Sequence, residues 1–151
     1  MRLKPIKDFL YYIAQCHREL ADFYLRLSIE VNNDKVKLLL DFMRNKEQLS
    51  YLQLQQYTQQ APPGLLETGL DSEFNHNFPM QCQQMALKAE LSIDEVVALA
   101  TNFNIQLIEL LQNAAYNSPT IEAEIALEKL TNQEEETLHQ VVLASHEFEY
   151  M

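Results

Sequence analysis

The sequence predicts an all-α protein, an antiparallel four-helix bundle with one long crossover between its second and third helices. Three observations carry this expectation. Glycine stands only at 64 and 69 and proline only at 5, 62, 63, 79 and 119, which leaves four long uninterrupted stretches. Apolar residues recur at spacings of three and four along most of those stretches, the mark of a buried helix face. Two connections are short and one is long, as a bundle with a crossover requires.

The first helix is expected near 5–31, with Pro5 in a first turn where its missing N–H does no harm. Leu10, Ile13, His17, Leu20, Tyr24, Leu27 and Val31 form its stripe. Asn32, Asn33 and Asp34 break the chain and can cap a second helix near 34–59, with a stripe of Val36, Leu40, Met43, Glu47, Ser50, Leu54 and Tyr57. Its Gln-rich end, Gln53 to Gln60, reads as a solvated finish. The connection spans about 60–91 and should contain a short extra helix from Met80 to Glu90. Ser92 and Glu95 have capping-box spacing and should open a third helix near 92–116, with Ile93, Val97, Ala100, Asn104, Leu107, Leu111 and Ala114 inside. Pro119 suits the start of a fourth near 119–147. Two faces compete in that helix: Ile125, Asn132, Glu136, His139, Leu143 and His146 against Leu127, Leu130, Leu138 and Val141. Periodicity alone does not choose between them.

The 151 residues suit one domain. Eleven Lys plus Arg against 22 Asp plus Glu give a formal charge of −11, the wrong sign for a nucleic-acid or anionic-membrane partner. With 47% apolar residues the chain is not expected to be disordered. No stretch reaches the roughly 20 apolar residues of a membrane span, and the start does not read as a signal peptide. Cys16 and Cys82 form no framework and read as small apolar groups. Cytoplasmic residence is the expectation.

The informative residues interrupt the apolar stripes. His17, Glu47, Ser50 and Asn104 stand where the pattern asks for leucine, and isolated charges in a core need partners or a metal. Glu136 and His139, three residues apart, share one side of their helix. His17 to Glu47 is 30 residues and Asn104 to Glu136 is 32, a loose repeat of two helical hairpins that would bring six polar side chains to one level. The run from Glu134 to Glu136 reads by default as wet surface, and His76 and His146 receive no role.

At these residues the chain resembles the ferritin-like superfamily, especially its rubrerythrin-like branch. Asp22, Phe23 and Tyr24, just after His17, look like that family's first helix. The segment from Leu91 to Ala100, just before Asn104, looks like the opening of its third. The resemblance implies a Glu on the first and third helices and Glu-x-x-His on the second and fourth, together holding two iron atoms. Carried over by position, Glu47, Glu136 and His139 are retained, while His17, Ser50 and Asn104 replace a Glu, a His and a Glu. Tyr24 would then hydrogen-bond a core carboxylate or simply pack.

Charge sharpens the reading. Two carboxylates remain, so two protonated histidines would balance them with no metal, and one divalent ion would do so equally well. Two ions would leave excess positive charge in the core. The metal candidates are therefore His17, Glu47, Glu136 and His139 around at most one ion, iron or zinc, and no cofactor is the plainer expectation. The function expected is a non-catalytic binding or structural protein, a homodimer. The rival is a metal-dependent oxidoreductase acting on oxygen or peroxide, so whether the chain is an enzyme stays open. A basic protein partner is a third possibility, suggested by the acidic surface.

Overall fold

A computed structural model describes residues 3–71 and 76–151. Four long helices form the bundle: α1 (Ile6–Glu30), α2 (Asp34–Gln60), α5 (Ile93–Tyr116) and α6 (Ile121–Glu149). The expected all-α bundle with a crossover after its second long helix is the observed architecture. Two short helices, α3 (Pro63–Leu66) and α4 (Phe78–Gln84), lie in the crossover, with a minimal antiparallel pair of strands, β1 (Lys4–Pro5) and β2 (Gly69–Leu70).

Two long helices begin where their capping chemistry says, whereas Pro5 precedes α1 and does not lie in its first turn. The Asn33 side chain accepts from the amides of Lys35 and Val36, and Ser92 with Glu95 closes a reciprocal capping box, so each satisfies donors a helix start leaves free. Pro119 does not start α6. Thr120 does, its hydroxyl accepting from the Ala123 amide, which moves the boundary two residues downstream.

The crossover was only partly foreseen. Its helix is not Met80–Glu90 but Phe78–Gln84, because Pro79 is tolerated inside a first turn. Before it, β1 and β2 pair Lys4 with Leu70 and Pro5 with Gly69, tying the return of the chain to the foot of α1. Gly69 allows a close approach there, since a Cβ would lie 3.1 Å from that of Leu3. Farther on, Arg26 donates to the Cys82 carbonyl and the Asn32 amide to the Ala89 carbonyl. The crossover thus climbs the length of α1. It delivers α5 to the end where α2 begins, and α6 returns to that end, where Lys35 donates to the Glu149 carbonyl.

The core holds Phe9, Leu20, Phe23, Leu40, Met43 and Leu107, all buried. An aromatic chain from Phe23 to Phe103 to Phe78 pins α1, α5 and the crossover together at centroid separations of 5.8 and 5.4 Å. Cys16 and Cys82 are buried free thiols, and burial pushes the Cys82 thiol up to about 12, so each is an inert apolar group. In α6 the face of Leu127 and Val141 is inside, while Ile125, Leu143 and Asn132 face solvent. No helix among the described residues is long and apolar enough to cross a membrane.

Candidate functional site

One charged cluster lies within the bundle, and three helices build it. His17 of α1 is 2% exposed, Glu47 of α2 is 2% exposed and Glu134 of α6 is 6% exposed. The His17 Nδ1 lies 2.5 Å from Oε2 of Glu47, and its Nε2 lies 2.6 Å from Oε1 of Glu134. An imidazole is therefore held at both nitrogens by carboxylates from two different hairpins.

Proton bookkeeping follows from the geometry. Each N···O contact at this distance needs one proton between its atoms, because two lone pairs would repel. The triad then holds two shared protons and a net charge of about −1, with His17 as an imidazolium between two carboxylates or with a proton shifted onto one of them. Burial opposes charge on the imidazole, but Glu134 and then Glu47 outweigh it and hold the ring well above its ordinary pKa. Burial likewise raises the carboxyl of Glu47, with His17 pulling the other way. The imidazolium is the form the contacts favour, since it gives both carboxylates a charged donor.

The sequence-derived residues divide sharply. His17 and Glu47 meet as expected. Asn104 is buried, and its Nδ2 has no hydrogen-bond partner. Ser50 is half-buried and lines a cavity beside the triad. Tyr24 is buried against Phe23, its hydroxyl making no hydrogen bond to a carboxylate. Burial, followed by the charge of Glu47, pushes its phenol well above the usual range.

Glu136 and His139 do not join them. Both are exposed, and the Glu136 carboxylate accepts from Gln140 on the surface. The reason is rotational: they share a face with Ile125, Asn132 and Leu143, and α6 turns that face outward. Glu134 takes the core position instead. Two signals in the sequence pointed to it. Glu134 stands seven residues from both Leu127 and Val141, on their stripe. It also follows Asn104 by 30 residues, the same separation as His17 and Glu47. The acidic run hid the first signal and the Glu-x-x-His pattern hid the second. Among the described residues, no group of three or more His, Cys, Asp or Glu is arranged to hold a metal ion.

A cavity of about 470 Å³ opens beside the triad, between α2 and α6, with Ile13 and Leu111 behind it. Buried His17 and Glu134 line it together with half-buried Ser50 and Thr137. Leu54, Tyr57 and Leu130 supply apolar wall. Gln53, Gln56, Gln60, Gln133 and Lys129, all exposed, also line it, so the solvated Gln-rich end of α2 borders the cavity.

The sequence matches no protein-family model and no curated protein. Its structure is similar to the crystal structure of a proposed ferritin-like diiron-carboxylate protein of Thermotoga maritima. The TM-score is 0.63 at 17% sequence identity, over 97% of this chain and 98% of that one. At that identity the likeness is one of fold, and the fold of this chain is that of a ferritin-like helical bundle.

Proposed function

We propose that this chain is a non-catalytic ferritin-like protein, a binding or structural module in which an imidazolium supplies the positive charge between core carboxylates. The observation that carries the reading is the double engagement of His17. Both ring nitrogens face carboxylate oxygens, so the imidazole offers no free lone pair to a metal, and one oxygen of each core carboxylate is already engaged by it.

A pair of iron ions does not fit the residues present. Two divalent cations bring about four positive charges, against two core carboxylates and the neutral side chains of Asn104 and Ser50. The surplus would sit in a low-dielectric interior, where an unpaired charge costs several kcal/mol. The surface pair Glu136 and His139 cannot make up the shortfall, because α6 presents it to solvent.

Metal analysis of protein expressed in iron-rich medium and dialysed without chelator tests this reading. The expected result is no retained iron or zinc. Two iron atoms per chain with an oxo-bridge absorption, or one tightly held ion lost on Glu47→Gln, would overturn it, and the second outcome would favour a single-ion oxidoreductase.

A further inference from the structure

The cavity beside the triad holds a buried carboxylate oxygen to which no side chain among the described residues donates. Glu134 uses Oε1 for His17, while its Oε2 is buried and has no hydrogen-bond partner. The residue is more than nine-tenths buried and lines the cavity. Among the described residues no lysine or arginine lies within ion-pair distance of Glu47 or Glu134. A buried acceptor left open, next to a triad that carries about one net negative charge, calls for a cationic donor.

We propose that this cavity binds a small primary ammonium ligand with an apolar body, its charged end on the free oxygen of Glu134. The inference rests on the reading of His17 as the cation of the core, since that pairing leaves Oε2 open and the triad negative. An ammonium carries one positive charge and three donors. Glu134 Oε2 takes one donor, and the hydroxyls of Ser50 and Thr137, which line the same cavity, can accept the others. Ile13, Leu54, Tyr57, Leu111 and Leu130 offer the body an apolar bed. The volume lies within the range of small-molecule sites, about 300–1,000 Å³.

Lys129 sets the geometry of approach. It is exposed, and lies five residues before Glu134, about 7.5 Å along the helix axis. Its charge opposes an incoming cation at the mouth, but solvent screens it there. The inner carboxylate, shielded from water, dominates once the ligand is seated.

The test uses three probes with the same body and different heads: 4-phenylbutylammonium, 4-phenylbutanol and 4-phenylbutanoate. Binding to the full chain is read by calorimetry near neutral pH, on protein whose metal content has been measured. The ammonium is expected to bind at least about tenfold more tightly than the alcohol, as a charge-assisted bond implies, with the carboxylate weakest. Glu134→Gln should remove that preference. Lys129→Gln, an exposed change, should tighten the ammonium relative to the alcohol by about twofold. Equal binding of ammonium and alcohol, no binding of either, or a preference that survives Glu134→Gln would overturn the proposal. If those failures occur in metal-free protein, the ligand inference alone falls; bound metal would remove the reading of the core beneath it.

Discussion

His17 holds two carboxylates that would otherwise face each other across the bundle with nothing between them. Deleting one partner of a buried charged set strands the rest, which typically costs about 3–5 kcal/mol. His17→Ala is therefore expected to lose about that much stability in urea titration. Replacing His17, Glu47 and Glu134 together by leucine should cost far less, because no charge is then left buried. Equal losses in the two variants would show that packing, and not charge, is what His17 contributes. The triad also sets a pH dependence. The ring's pKa is raised above 6.5 in the folded chain, so the folded state holds the extra proton above that pH. The stability it contributes is complete below pH 6.5 and is lost as pH climbs through the raised folded value. Glu47, raised above 4.5, acts with the same sign from lower pH upward. The unfolding free energy from urea titration should fall with rising pH above 6.5, by up to about 1.4 kcal/mol per pH unit for each proton the folded state holds in excess. His17→Gln should flatten that slope.

At the scale of the helix, α6 decides which acidic residue matters. Its apolar stripe is weak, with threonine, glutamate and serine interleaved among Leu127 and Val141. The rival face carries Ile125 and Leu143, nearly as apolar, so summed hydrophobicity does not select the rotation. At the observed rotation Glu134 meets the charged level that His17 and Glu47 present. A register argument of this kind depends on contacts between helices. It is weakly written in any single one. The first three long helices needed no such help, because their stripes were unbroken except at the polar level itself. Glu136→Ala and His139→Ala are expected to change stability by less than about 0.5 kcal/mol, as exposed substitutions do. Glu134→Ala should cost several times more. A large effect at Glu136 with none at Glu134 would reverse the assignment of the buried face.

Across the whole molecule, two hairpins of similar design meet at one polar layer. Asn104 and Glu134 repeat the 30-residue separation of His17 and Glu47, and Ser50 and Thr137 follow each glutamate by three residues. The bundle and its crossover were legible from glycine and proline placement, because those residues mark where helices cannot run. The strand pair at the foot of α1 was not legible, since Lys4 with Pro5 and Gly69 with Leu70 are too short to show alternation. His17, Glu47 and Asn104 are buried where their stripes place them. Only the fourth helix differs: Glu136 and His139, which have a familiar ligand spacing, lie on its exposed face, and Glu134 is inside. The ferritin-like fold here has a core in which an imidazole, two carboxylates and the amide of Asn104 are buried.

The most direct measurement is nitrogen-15 NMR of the His17 ring in the folded protein, followed across the pH range of stability. The account predicts an imidazolium with protons at both nitrogens, each strongly hydrogen-bonded, that keeps both well above pH 6.5. A ring that titrates near 6.5 like a free histidine, or one whose nitrogen shifts report a bound metal, would contradict it.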